Sequence, residues 1–258
     1  MATVKEIYTL LDGKAPFRYQ MGFDNAGFLV GRGNAEVTRV LVALDITPQV
    51  ITEAVEMGAQ LIVAHHPVMN CAWHPVQRVR SDDTQGRILI TMIRNGISAI
   101  CMHTNLDAAE GGVNDVLAEK LGLTGIELLN EEKIGRVGTL KCELPLVEFT
   151  RFVVESLGCN GLRYIDAGKP VHRVAVGGGA CSGYIGQAIA LGCDTFVTSD
   201  LKYNDFLDTK GINLIDAGHF PTENVVCPVV VEYLQKAFPE LTVVYSTAHH
   251  CEVIQYCI

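Results

Sequence analysis

The 258-residue chain contains nine cysteines but no CxxC pair. They stand singly at 71, 101, 142, 159, 181, 193, 227, 251 and 257. The odd count and the spacing exclude a disulfide framework and a thiolate zinc site as organising devices. Cys101 and Cys193 lie in apolar surroundings and read as small buried hydrophobes in a reducing compartment. No apolar run is long enough to span a bilayer. The first residues, Met1 to Glu6, lack the basic-then-apolar shape of a signal peptide, so the expected location is cytoplasmic, with no membrane partner. Basic residues are in the minority: 20 Lys and Arg face 29 Asp and Glu, for a formal charge of −9. They form no stripe, which disfavours a nucleic-acid partner. The glycine run 177–183 lacks both the Lys-Ser/Thr of a nucleotide loop and the spacing of a dinucleotide fingerprint. It follows a strand and opens a helix, which leaves two readings, close packing or an anion contact.

What the chain does have is a series of short apolar strands alternating with amphipathic helices. Val40 to Asp45 reads as a strand. Thr47-Pro48 then opens a helix, with Thr as N-cap and Pro in the first turn. Leu61 to Ala64 is a second strand, apolar throughout, as expected for a parallel sheet covered on both faces. Further strands are expected at 97–102, 137–144, 162–166, 173–176, 195–200, 213–217, 241–245 and 252–256. Helices are expected at 2–12, 86–95, 113–121, 145–157 and 184–191, with another from 219 through 238.

Part of the pattern repeats. A shift of 134 places Val40 on Val174, Ile51 on Ile185, Gly58 on Gly192 and Val63 on Val197, without a gap. His65-His66 then falls on Ser199-Asp200. After a length change, Gly96-Ile97 matches Gly211-Ile212, and each opens a strand whose end carries a histidine, His103 or His219. The expected architecture is therefore two related α/β lobes with mainly parallel sheets covered by helices, and a metal site in the cleft between them. Residues 1–125 form the first lobe, completed by 219–258, and 126–218 the second.

Three strand ends carry candidate ligands: His65 and His66, then His103 and Asp107, then His219 and Glu223. Residues four apart at a helix start share one face, which suits His219 and Glu223. The donors are imidazole nitrogen and carboxylate oxygen without sulfur, a set that fits Zn, Fe, Mn, Ni or Co. More than one carboxylate allows two cations about 3.5–4 Å apart. His103 is read as a ligand, an outer hydrogen bonder or a proton carrier. Asp24-Asn25, in a glycine-flanked loop, reads first as an Asx-turn and second as part of a site. His172, His249 and His250 find no partner in the sequence pattern.

Together, Gly22-Phe23-Asp24-Asn25-Ala26-Gly27, Asp45-Ile46-Thr47-Pro48, Ala64-His65-His66-Pro67, His103-Thr104-Asn105-Leu106-Asp107 and Gly218-His219-Phe220-Pro221-Thr222-Glu223 resemble the Nif-three-like family. Its members are often labelled GTP cyclohydrolase 1 type 2 homologues. The resemblance runs over nearly the whole chain and matches the short form, without a central insertion. Phe23 stands where the family pattern often has Trp, so an aromatic ring is kept. The resemblance implies two divalent metal ions held by His65, His66, Asp107, His219 and Glu223, with Glu223 bridging. It also implies interlocked lobes and a homohexameric ring with its sites facing an internal cavity. The position of His103 lies near the metals and is not usually counted as a ligand.

Two divalent cations acidify water and polarise a carbonyl, ring carbon or phosphate. The expected activity is a metal-dependent hydrolase acting on a nucleotide or other phosphorylated or heterocyclic small molecule, with His103 as the catalytic proton shuttle. The competing class is a non-enzymatic metal-binding chaperone, sensor or oligomeric scaffold.

Overall fold

The computed structural model describes residues 2–70 and 76–248. The expected strand at 252–256 and the His249-His250 pair lie outside the described residues. In chain order the elements are β1 (Ala2–Thr3), α1 (Val4–Lys14), β2 (Gly27–Val30), β3 (Glu36–Val37), β4 (Arg39–Ala43), α2 (Pro48–Glu56), β5 (Leu61–Ala64), α3 (Thr84–Arg94), β6 (Ser98–Cys101) and α4 (Thr104–Ala108). They continue with α5 (Val113–Lys120), β7 (Thr124–Leu128), β8 (Arg136–Leu144), α6 (Leu146–Leu157), β9 (Arg163–Ile165), β10 (Val171–Val176), α7 (Ile185–Ala190) and β11 (Thr195–Thr198). The last are α8 (Tyr203–Asp208), β12 (Asn213–Asp216), α9 (His219–Glu223), α10 (Val226–Ala237) and β13 (Thr242–Tyr245).

Packing divides the chain into two compact units. One runs to Ala109 and resumes at Cys227; the other spans Glu110–Val226. The first unit holds a five-stranded sheet in the order β13-β4-β5-β6-β2, parallel except at the β2 edge. All of β5 and β6 is buried, as is β4 beyond Arg39. Continuous burial explains why these strands read apolar without alternation. Val50, Ile51 and Ala54 of α2 and Ile88, Leu89 and Met92 of α3 belong to the same core. Each of the Val, Ile, Leu and Met side chains among them contributes about 1.5–3 kcal/mol on full burial. The α2 start is built as its sequence predicts: the Val50 N–H donates to the Thr47 hydroxyl at 3.2 Å, and Pro48 occupies the first turn.

The second unit holds a six-stranded sheet in the order β7-β8-β10-β11-β12-β9. Its centre, β10-β11-β12, is parallel; the three outer pairings are antiparallel. Its core gathers Leu117, Leu121, Phe149, Val153, Val174, Val197 and Ile215. Both units are thus α/β, with helices covering the sheets.

The repeat is visible as register. Val40 pairs with Leu61, and Val174 with Thr195; Leu61 pairs with Ser98, and Thr195 with Asn213. The shift of 134 therefore carries the first two strands of one parallel triplet onto those of the other with pairing unchanged.

The units divide at 110 and 227, whereas the sequence placed the boundaries at 126 and 219. The reason is the packing of two helices. In α5, Leu117 and Ala118 bury into the second unit's core, and the Asn114 amide oxygen accepts the Gly178 N–H at 2.9 Å. In α9, the Thr222 hydroxyl accepts the Gly179 N–H at 3.1 Å. The helix expected from 219 to 238 is two, α9 and α10. Pro228 explains the break: its ring tolerates only a first helical turn, so a helix must restart just ahead of it. The sequence reading also lacked β7 and α8. Neither has a fully buried residue, so neither shows an apolar period.

Candidate metal centre

Strand β5 ends at Ala64, and the backbone turns at once. The N–H groups of His65 and His66 both donate to the Leu44 carbonyl, at 3.1 and 2.9 Å. Sharing one acceptor breaks the strand alternation, so the two rings come to one side with centroids 5.0 Å apart. His103, just beyond β6, brings a third ring 5.3 Å from His65 and 5.5 Å from His66. One ring nitrogen from each of the three lies within 4.8 Å of the others. Asp107, buried in α4, places Oδ1 3.7 Å from His65 Nε2.

Each of the three rings is held from behind at Nδ1. His65 bonds the Met102 carbonyl at 2.8 Å, His66 bonds Asp45 Oδ1 at 2.7 Å, and His103 bonds Asp24 Oδ1 at 2.8 Å. An acceptor at Nδ1 puts the proton there and makes Nε2 the ligating nitrogen. The donor chemistry fits a divalent transition cation.

Asp24 serves this site. Its side chain is fully buried. Its carboxylate accepts the Asn25 N–H, the Thr104 hydroxyl and, at 3.1 Å, the Thr104 N–H at the start of α4. Burial pushes its pKa up, but the bonds from His103, Thr104 and Asn25 outweigh that and hold the carboxyl below its ordinary range. The glycine-flanked loop thus supplies the acceptor behind His103 and is not an Asx-turn: the Ala26 N–H, two residues on, donates to Gln20 Oε1 at 2.9 Å.

The second unit carries its own pair. His219 Nε2 lies 2.9 Å from Glu223 Oε2, one helical turn on, and its Nδ1 bonds Asp200 Oδ2 at 2.7 Å. Burial pulls the His219 pKa down, but the Glu223 charge and the bonds to Asp200 and Glu223 raise it to about 11. The bond from His219 in turn holds Asp200 below the usual carboxylate range. Asp200 adopts φ 55°, an unusual backbone state for a residue other than glycine.

The glycine run is a packing surface against this pair. The N–H groups of Gly177, Gly178 and Gly179 are taken by the Val197 carbonyl, Asn114 and Thr222. Those three N–H groups are therefore not offered to an anion. A Cβ at Gly179 would stand 2.1 Å from Glu223 Oε1 and 3.2 Å from His219 Nε2. Only glycine lets the backbone approach the carboxylate this closely.

The six residues singled out by sequence therefore fall into two sets, His65, His66, His103 and Asp107 in the first unit and His219 and Glu223 in the second. Of the carboxylates that orient three of the rings, sequence reasoning offered Asp24 only as a second reading and gave no role to Asp45 or Asp200. Two of these carried a signal. Asp45 and Asp200 follow β4 and β11 by two residues, and the repeat sets Asp200 on His66. The backbone N–H of His172 bonds Asp194 within β10, and His172 joins neither set.

Fold and donor sets together define an α/β protein equipped with clustered imidazoles and carboxylates of the kind that hold divalent cations. The chain belongs to the DUF34/NIF3 family (NGG1p interacting factor 3), whose family model matches residues 2–251. A Clostridium perfringens relative named GTP cyclohydrolase 1 type 2 homolog is 35% identical over 242 residues, covering 90% of each chain. A Streptomyces coelicolor relative of the same name is 33% identical, covering 86% of this chain and 82% of its own. Among solved structures, a Bacillus cereus protein related to NIF3 is similar with a TM-score of 0.89 at 26% identity, over 96% of this chain and 98% of that one. A Staphylococcus aureus protein gives a TM-score of 0.90 at 28% identity, over 99% of each. Among the described residues no helix is long and apolar enough to cross a membrane.

Proposed function

We propose that the chain binds two divalent cations through His65, His66, Asp107, His219 and Glu223. We further propose that it hydrolyses a nucleotide or another phosphorylated or heterocyclic small molecule. The observation that carries the reading is the common backing of four rings: His65, His66, His103 and His219 each have Nδ1 bonded to a carbonyl or carboxylate. Outer acceptors of this kind orient imidazoles for metals and raise their basicity. Glu223 would hold the cations through its carboxylate, as the family resemblance implies. The label shared by the curated relatives supports a cyclohydrolase-type reaction.

When bound, the cations supply Lewis acidity and an acidified water. The protein's part is positional. Asp45 and the Met102 carbonyl fix the first-unit rings, Asp200 fixes His219, and Gly179 leaves room for the Glu223 carboxylate. Precise placement matters because a misplacement of about 1 Å in a catalytic group costs on the order of 100-fold in rate. The working form we propose is the homohexamer; light scattering would read six times the 28.0 kDa chain.

The test has two parts. Elemental analysis of protein purified without added metal should find two divalent ions per chain. Turnover on nucleotide and phosphoester panels should follow metal content and vanish in His66→Ala. Full occupancy with no turnover on either panel would reject the hydrolase and favour the chaperone, sensor or scaffold.

A further inference from the structure

We infer that the first unit carries a separate binding site, an apolar pocket that takes a small amphipathic anion: an aliphatic body with a carboxylate at one end. The site stands apart from the metal-binding reading above and uses none of its residues.

The pocket encloses about 560 Å³, within the roughly 300–1,000 Å³ usual for small-molecule sites. Leu29 and Val30 of β2, Leu89 and Ile93 of α3, Met69 and Ile97 form its walls. It lies at the start of β6, which Gly96 and Ile97 precede, whereas His103 follows the end of that strand. β2 is the edge of its sheet, and its register against β6 shifts between Phe28 and Val30. A shift of this kind bends a strand and increases its twist. The neighbouring helix keeps an apolar face that the sheet does not cover. Leu89 is buried, but Ile93, one helical turn on and on the same face, is 66% exposed. Val79, which also lines the pocket, is 50% exposed. A singly exposed apolar side chain is ordinary, but two that flank one concavity mark a site.

Charge decides the other end of the ligand. Among the described residues one charged side chain lines the pocket, Arg32, and no carboxylate does. The Arg32 side chain is exposed and forms no ion pair among the described residues. In a chain of net charge −9, an uncompensated guanidinium beside an apolar concavity selects an anion, and its planar fork matches the two oxygens of a carboxylate. The open edge of β2 would also accept an added strand or a second copy of the chain. Strand addition works through backbone hydrogen bonds and calls for neither an enclosed volume nor an unpaired cation. Both features are explained by one small ligand.

Isothermal calorimetry of the full chain with decanoate tests this without reference to activity. One equivalent should bind per chain, and shortening the probe to octanoate should weaken it by about fourfold per methylene removed. Decyltrimethylammonium, with the same chain and the opposite charge, should bind more weakly than decanoate. Arg32→Gln should cost decanoate about two- to fivefold, the scale of an exposed ion pair, and abolish its advantage over the cation. Ile93→Glu and Ile93→Lys remove the same wall from an exposed helix position, so both should fold, as far-UV circular dichroism would confirm. Both should weaken decanoate, Glu more than Lys. His66→Ala should bind decanoate as wild type does, so that a failed metal centre and a failed pocket are told apart. No binding of decanoate to wild type, or unchanged binding in Ile93→Glu, would overturn the pocket. Equal binding of decanoate and decyltrimethylammonium would overturn the choice of an anion. A lower mass for Ile93→Glu in light scattering, with wild type indifferent to decanoate, would assign the surface to a second copy of the chain instead.

Discussion

Replacing Gly179 with alanine separates the fold's requirements from those of the candidate centre. The new Cβ would lie 2.1 Å from Glu223 Oε1, where ordinary contact begins at 3.4 Å. The carboxylate must therefore give way by roughly 1.3 Å, far more than the ~0.2 Å that metal–ligand distances tolerate. The atom that yields is the tip of a side chain, so the fold should survive. The backbone cost is that of an L-residue at φ +65°, about 1–2 kcal/mol. Gly158→Ala isolates that term, because Gly158 has φ +64° and nothing within 4 Å of its Cβ position. Gly183→Ala, also open and without a positive φ, controls for adding a methyl to the glycine run. Urea unfolding of the metal-free proteins should show similar losses for Gly179→Ala and Gly158→Ala, and almost none for Gly183→Ala. Metal analysis should then show Gly179→Ala alone depleted, because a carboxylate displaced beyond the tolerance of metal–ligand distances no longer serves as a ligand. Gly179→Ala with wild-type metal content would refute the assignment of Glu223, however the protein melts.

Three further outcomes follow from the same geometry. In metal-free protein the folded His219 pKa is raised from 6.5 to about 11. Its stabilising contribution is therefore complete below pH 6.5 and disappears as pH climbs through 11. His219→Gln should flatten that alkaline decline in urea midpoints, and metal binding to wild type near neutral pH should release a proton measurable in weakly buffered solution. Asp24 is shifted the other way, so its contribution is present above its ordinary pKa of 3.8 and is lost as pH falls through the lower folded value. Asp24→Ala should remove that acid dependence and cost about 1–3 kcal/mol, because the buried Thr104 and His103 donors lose their acceptor. Arg136, 3% exposed, is bonded through its guanidinium to Asp115 and to the Lys133 and Gly135 carbonyls. Asp115→Ala leaves that charge uncompensated and should cost about 3–5 kcal/mol in chemical denaturation.

The parallel strands were legible because burial on both faces writes itself as uninterrupted apolar residues, and Leu61–Ala64 is found at the bounds read from sequence. The α2 cap was legible because Thr and Pro act through their own covalent structure. What sequence reasoning missed lacks such a local cause. Strand β7 is an exposed edge, and α8 has no buried face. The unit boundaries depend on which core receives α5 and α9, a tertiary choice invisible in either helix. The candidate ligands announced themselves as uncommon residues at strand ends. The carboxylates behind them did not, since an aspartate after a strand or in a glycine loop is ordinary turn chemistry. Asp24 reaches His103 across 79 residues and Asp45 reaches His66 across 21, and only the register of the sheet brings each pair together. The repeat was the unused clue. Since β4-β5 and β10-β11 pair in the same register, the strand end that carries His66 in one unit carries Asp200 in the other. In the first unit that position presents a candidate ligand; in the second it holds the Nδ1 of one. Strands that pair in the same register fix where polar groups can be placed and leave open which task each performs, so spacing alone marked the candidate ligands without revealing what orients them.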